Sequence, residues 1–338
     1  MKTVTSFLCL FLLLLPAIPL RAQEPDQEML RARPEKLEAV LRVKDLRTRH
    51  DGSLYALLSD RDAVVREHAT LAFGSIQDTA ALTPLVANLA DGSARVALAA
   101  AWAIGQTAGA LKVKGREALE HDLIWTRLDG TPAKDRLIEE IGKFGTAQGL
   151  DDLVLRFGAT QEHRNAMYMA AARFGIRGIA TTEGVRYLLH AVQNPDAASW
   201  QAVYALQRIG DHAETRSQAD WIVGLLQHHD PLVRMNAALL LGKLHTAPSL
   251  TPLLATAERD HDWRVRVNAL KALGNFDLAA DVALPALLRR SFLSENVHVG
   301  VSAIATFGAM SGPDSIEGVA AASALLRELA VNEGAGHP

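Results

Sequence analysis

The sequence predicts an all-α fold, a right-handed α-solenoid (an α-α superhelix) of about eight stacked helical hairpins, and three observations predict it. Ala and Leu dominate while aromatics make up only 5% of the chain, and β-branched runs with period-two alternation are scarce, so helical periodicity outcompetes any sheet reading. One short pattern recurs: an apolar residue, then Arg or a substitute, two variable residues, Ala, and a Gly five residues after that Ala. The closing glycines, at 74, 105, 145, 175, 210, 242, 274 and 308, are separated by 31, 40, 30, 35, 32, 32 and 34 residues. That is the period of helix-turn-helix units stacked in series, which lets one core grow along a single axis.

The elements follow in chain order. Lys2, the apolar run Phe7–Leu15, Pro16, Pro19 and the small Ala22 read as a secretory signal over residues 1–22, cleaved after Ala22. The run is too short to span a bilayer comfortably, so the expected mature chain is periplasmic or secreted and keeps no stable membrane span. The single cysteine, Cys9, leaves with the signal, and loss of Lys2 and Arg21 moves the formal charge from -3 to -5. An exported chain without disulfides must be stabilised by burial, which its size permits. Residues 23–53 read as an N-terminal helical cap containing an amphipathic helix from Pro34 to Lys44.

The repeats occupy residues 54–312. Two copies are nearly identical: Asp230-Pro-Leu-Val233-Arg234-Met-Asn236-Ala237 running to Gly242, and Asp262-Trp-Arg-Val265-Arg266-Val-Asn268-Ala269 running to Gly274. A third, from Asp62, carries Val65, Arg66, Ala69 and Gly74. Asp62, Asp230 and Asp262 stand where an N-cap is needed and Pro231 follows at the first helical position. The closing Gly is suited to a left-handed helix end. Val, Ala and the apolar residue before Gly, at relative positions 0, 4 and 8, form one stripe.

Outer helices are expected at Ala80–Leu89, Leu150–Phe157, Thr182–Val192, Ala219–Gln227, Ser249–Ala257 and Ala280–Arg289. Between Gly109 and Pro132 the long interval implies an insertion or a lengthened outer helix. The third repeat places Arg136 at the Val position and Glu140 at the Ala position, so its register is loose by a few residues. Residues 313–338 read as a C-terminal capping helix, Ser315–Ala330, and a tail, since a solenoid must cover its terminal apolar faces.

The Asp-x-x-Val-Arg-x-x-Ala-x-x-x-Leu-Gly cores resemble HEAT repeats of the short, PBS-lyase-like type, over roughly residues 54 to 312. More narrowly, Leu71-Ala-Phe-Gly74, Ala101-Trp-Ala-Ile-Gly-Gln106 and Asp262-Trp-Arg-Val-Arg-Val-Asn268 resemble the secreted HEAT arrays that precede a cyclophilin-type peptidyl-prolyl isomerase domain in Bacteroidota-like proteins. The chain contains no stretch resembling the cyclophilin core, so isomerase activity is not implied for it.

Chemistry-bearing patterns are sparse. The Asp–Arg pairs Asp62/Arg66, Asp230/Arg234 and Asp262/Arg266 fit a structural ladder between adjacent repeats better than an anion site. His228-His229-Asp230 with His261-Asp262 is the best grouping among 12 histidines, yet it lacks metal-ligand spacing. Glu67-His68, Glu120-His121 and Glu162-His163 reverse the order of the His-Glu dyads of the HEAT-type di-iron hydroxylase. No Gly-x-Ser-x-Gly elbow and no phosphate-cradling glycine loop occurs. Neither a metal nor any other cofactor is expected, and the near-neutral charge lacks the basic excess of a nucleic-acid binder.

The expected function is therefore an exported scaffold that holds another protein or an extended peptide and is not itself an enzyme. The alternatives are a HEAT-type enzyme such as a bilin lyase, or the HEAT portion of a divided isomerase. Counted from the Val position, columns 2, 3 and 6 of the inner helices should face outward on the concave side, where they are unexpectedly apolar. The expected contact residues are Leu98, Trp102, Tyr168, Met169, Val203, Tyr204, Met235, Asn236, Val267 and Asn268, since Tyr, Trp and Met favour protein interfaces. The competing reading buries these columns between the protein's own inner helices.

Overall fold

The structure, a computed structural model, describes residues 27–46, 52–193, 199–276, 287, 289–291, 293–294 and 296–310. The signal segment 1–22, the capping helix Ser315–Ala330 and most of Ala280–Arg289 lie outside the described residues. Helices and turns make up the described residues, with no strand among them. Eight inner helices appear in series: α3 (Ala63–Ile76), α5 (Ala94–Thr107), α7 (Lys134–Ile141), α9 (Arg164–Ile176), α11 (Trp200–Ile209), α14 (Pro231–Leu244), α16 (Trp263–Leu273) and α17 (Val297–Met310). Each packs against the next, and the molecule is an α-solenoid.

Outer elements precede the inner ones: α2 (Ser53–Leu57), α4 (Leu82–Ala87), α6 (Val113–Asp122), α8 (Ala147–Phe157), α10 (Thr182–Val192), α12 (Ala213–Ser217) with α13 (Ala219–Gly224), and α15 (Leu250–Arg259). The long interval proves to be a lengthened outer helix, in which α6 continues through a π-helical turn, Leu123–Arg127, and a 3-10 turn, Leu128–Gly130. Ahead of the array, α1 (Gln27–Leu46) packs on α3. It starts earlier than Pro34, which therefore sits inside it and leaves the Leu30 carbonyl without its i+4 donor.

The caps form as the sequence indicates. Asp62, Asp230 and Asp262 accept from the backbone N–H of Val64, Leu232 and Arg264 at 2.9, 2.8 and 2.9 Å. The stripe Val65/Ala69/Phe73, and its counterparts Val233/Ala237/Leu241 and Val265/Ala269/Leu273, is fully buried. Burying a Val, Leu or Phe side chain contributes roughly 1.5–3 kcal/mol, so this stripe, repeated along the axis, carries the stability.

Two expectations are corrected. The closing glycines do not end their helices in the left-handed region; α3, α5 and α14 run past Gly74, Gly105 and Gly242. Their role is close approach. A Cβ on Gly74 would stand 2.4 Å from the Trp102 ring and 2.9 Å from the Ala103 Cα, and one on Gly242 would stand 2.7 Å from the Ala272 Cα. Of the described closing glycines, Gly210 alone adopts a positive φ, +82°, and the left-handed ends of α3 and α14 fall on Gln77 and His245.

The third repeat is shifted by three residues from the sequence register. Its helix ends at Gly142, not Gly145, and a Cβ on Gly142 would meet the Ala170 backbone and the Arg173 side chain. Ala133, Leu137 and Ile141, all buried, therefore form its stripe. Arg136 takes column 3, and Glu140 leaves the Ala column for column 7, against Gly105, where an added Cβ would lie 2.0 Å from the carboxylate.

Candidate binding surface

Helix geometry fixes what each column faces. At 100° per residue, the glycine column points at the next inner helix, and column 2 lies only about 20° from it. Column 2 thus belongs to the seam between repeats, and columns 3, 6 and 10 form the open inner face. Accordingly Tyr168, Val203 and Val267, expected to face outward, are buried, as is Ile138, which the register shift removes from the column. The Tyr168 ring lies 5.6 Å from that of Tyr187 on α10. The column is not uniformly sealed: Leu98 and Val301 are 46% and 60% exposed and Met235 is half-buried, and the inner helix that follows Leu98, α7, is the shortest of the eight described.

Asn236 is also buried. Its amide donates to the Leu232 carbonyl at 2.8 Å, and the half-buried Asn268 donates to the Arg264 carbonyl at 2.8 Å. One N–H of each amide is thus engaged within its own helix. Trp102, Met169, Tyr204 and Met235 are half-buried. Of the ten expected contact residues, Leu98, Trp102, Met169, Tyr204, Met235 and Asn268 keep accessible surface.

A charged cluster, part of which the sequence register hid, lies beside this face. Glu140 is fully buried, with Arg136 Nη2 at 2.9 Å, Lys143 Nζ at 2.6 Å and Arg173 Nη1 at 3.8 Å. These are ion contacts, and their angles are not those of hydrogen bonds. Arg173 also pairs with Glu139 at 3.0 Å. With its amide oxygen turned toward the donors, Gln106 accepts from Lys143 Nζ at 2.6 Å and Trp102 Nε1 at 3.2 Å. Further along, Lys243 Nζ donates to the Gln207 carbonyl at 2.6 Å, and the Arg208 guanidinium lies 5.8 Å from the centre of the Tyr204 ring.

Behind this face, the repeats are tied by two kinds of polar contact. Arg66 reaches across to Asp91 with two 2.8 Å bonds, and Arg234 to Asp260 at 2.7 and 2.9 Å. The ladder exists at these two interfaces, where each arginine pairs with the next repeat's loop and not with the aspartate four residues before it; the third arginine, Arg266, donates to the Asp260 carbonyl of its own repeat at 3.0 Å. Arg33 on α1 continues it to Asp62. In the middle, buried Glu120 accepts from the Thr146 N–H at 2.9 Å and its hydroxyl at 2.8 Å, and burial lifts its carboxyl above the usual range. Arg177 donates to the Gly145 and Phe144 carbonyls at 2.7 and 3.2 Å.

His228, His229 and His261 line one surface cavity together with Arg234 and Asp260. Among the described residues no group of three or more His, Cys, Asp or Glu could hold a metal. Glu67 pairs with Arg95 and His163 with Asp135 and Glu162. The His228 Nδ1 accepts from the Asp230 N–H at 2.9 Å. No helix of the described residues is long and apolar enough to cross a membrane.

Family models match on these same helices: HEAT repeats over residues 201–274 and 219–306, and the PBS lyase HEAT-like repeat over 65–91. The chain carries HEAT repeats over these residues. No curated protein matches this HEAT-repeat chain. Among solved structures it is similar to human deoxyhypusine hydroxylase in complex with glycerol, at 16% identity and a TM-score of 0.31, covering 83% of this chain and 98% of that one. It is also similar to a mutant of Kap121p, at 15% identity and a TM-score of 0.35, covering 82% of this chain and 38% of that one.

Proposed function

We propose that this HEAT-repeat chain is an exported scaffold that holds an extended segment of another protein along its inner face and performs no chemistry of its own. The observation that carries the reading is the row of accessible apolar side chains on that face, Trp102, Met169, Tyr204 and Leu239, bordered by the seam residues Leu98 and Met235, which keep accessible surface, where a solvated surface would carry polar groups. The acids beside that face, Glu139 and the fully buried Glu140, are engaged by neighbouring cations. Export rests on the leader-like residues 1–22 and predicts a mature N-terminus at Gln23; intact Met1 in the mass spectrum of the native protein would refute it. The likeness to arrays that precede cyclophilin-type domains rests on residues 71–74, 101–106 and 262–268 and makes an isomerase one partner to try.

The scaffold reading is tested with M169S/Y204S/M235S. Tyr168 is left unchanged because it is buried. The triple variant should keep its helical circular dichroism and lose the partner that a photo-crosslinker at Trp102 captures from envelope extracts. A folded variant that keeps that partner removes this face from consideration.

A further inference from the structure

Columns 3 to 10 of three successive inner helices repeat one arrangement: an apolar residue with a cation four residues later, Met169 with Arg173, Tyr204 with Arg208, and Leu239 with Lys243. Side chains four apart on a helix are neighbours, so the helices set an apolar row beside a cationic row. The first cation is matched by Glu139 and Glu140. The other two make no ion pair with any described residue. Cations in the last turn of a helix are ordinarily explained by its dipole, and Lys243 does answer a carbonyl, that of Gln207 at 2.6 Å. That leaves Arg208 unexplained. Its guanidinium makes no hydrogen bond or ion pair with any described residue, and its Nε is buried without an acceptor, which destabilises a fold. Lys243 stands close enough that Arg208, after burial, depresses its pKa. Gly210 abuts the Lys243 stem, with 3.2 Å from a built Cβ to Cδ. A fold has no use for two half-buried like charges side by side unless something else answers them.

We propose that Arg208 and Lys243 recognise one glutamate or aspartate side chain carried within an extended, otherwise apolar segment of a partner protein. The neighbouring apolar side chains of that segment lie on Met169, Tyr204 and Leu239. Inner helices spaced by about 8–10 Å and a chain rising about 3.3 Å per residue give roughly three partner residues per helix. A matching segment therefore reads Leu-x-x-Glu-x-x-Leu. This specifies the partner of the scaffold reading and rests on it.

The probes are three fluorescent peptides on that pattern, each acetylated: the Glu form with an amidated end, its Gln counterpart, and the Gln form with a free carboxyl end. They are titrated by anisotropy against the full chain, R208Q and R208Q/K243Q. The amidated Glu peptide should bind about tenfold tighter than the Gln peptide, the order expected for one charge-assisted hydrogen bond. R208Q alone should remove most of that advantage, with a melting temperature equal to or above that of the parent, because no internal hydrogen bond or ion pair is lost and removal of the unmet Nε outweighs loss of the Tyr204 ring contact. Equal binding of the Glu and Gln peptides, an advantage that survives in R208Q/K243Q, a gain confined to the free carboxyl end, or a fall in the melting temperature of R208Q would each overturn the proposal. Absence of binding by every peptide overturns it too. The crosslinked partner of the parent chain then shows whether the scaffold reading stands without it.

Discussion

The repeats at 60–91 and 228–262 and those at 116–177 reach the same stacked geometry by different means. In the first set, each arginine after the buried Val crosses to an aspartate in the next loop, Arg66 to Asp91 and Arg234 to Asp260. In the second, the lengthened outer helix sends Glu120 to the start of α8, and Arg177 covers the carbonyls that end α7. The loop at 144–146 is thereby held from both sides. A solenoid needs only that each interface be satisfied, because repeats contact only their neighbours. Polar ties can therefore change from one interface to the next while the apolar stripe stays constant.

The constant part should be the more sensitive. Ala269→Phe and Gly242→Ala place atoms where Ala272 and the neighbouring helix already stand, and overpacking costs about 1–3 kcal/mol. Both should lower the urea midpoint for several repeats together, since a failed interface releases its neighbours. An unchanged transition in Ala269→Phe would remove that column from the packed stripe.

The two kinds of tie should rank next and nearly equal. Arg234→Ala leaves the part-buried Asp260 without its bidentate partner, and Arg177→Ala leaves two carbonyls without their donor. We expect a loss of about 2 kcal/mol for each, measured by chemical denaturation. A much smaller loss in Arg177→Ala would show that the middle repeats rest on apolar packing alone.

Titration separates the two regions by sign. The hydrogen bond from Arg66 holds the Asp91 carboxyl below its ordinary range, so its contribution is present above the unfolded aspartate value and is lost as pH falls through the folded one. Burial raises Glu120, so its protonated form is favoured in the folded state and stability declines as pH climbs from the unfolded glutamate value through the folded one. Melting curves across the acid range should therefore shift in opposite senses for Asp91→Asn and Glu120→Gln. The smallest effect is expected at the surface. Arg95→Ala removes a pair with Glu67 in which the arginine is 72% exposed, and such pairs contribute less than about 1 kcal/mol.

The ladder repeats were legible because a cap, a β-branched residue, an arginine and a small residue each occupy the position their physics requires. Asp62, Asp230 and Asp262 cap the helices the sequence assigns to them. The third repeat was illegible for a matching reason: its stripe uses Ala133 and Leu137 in place of Val and Ala. Gly145 stood at a plausible spacing while Gly142 made the contact. With that register misplaced, Arg136 and Glu140 could not be read as part of the cluster beside the inner face.

By itself, then, the sequence determined the helical class, the period, the caps and the buried stripe, because those depend on residues within one or two turns of each other. Tertiary structure decided which face of each helix meets the next. Column 2 lies about 20° from the glycine column, so whether Tyr168 and Val203 bind a partner or seal a seam depends on where the neighbouring helix is set, not on their own spacing. The same placement decided that Arg173 finds two glutamates while Arg208 and Lys243 find none. Charge partners across a 30-residue repeat are brought together by packing, and no local pattern encodes them.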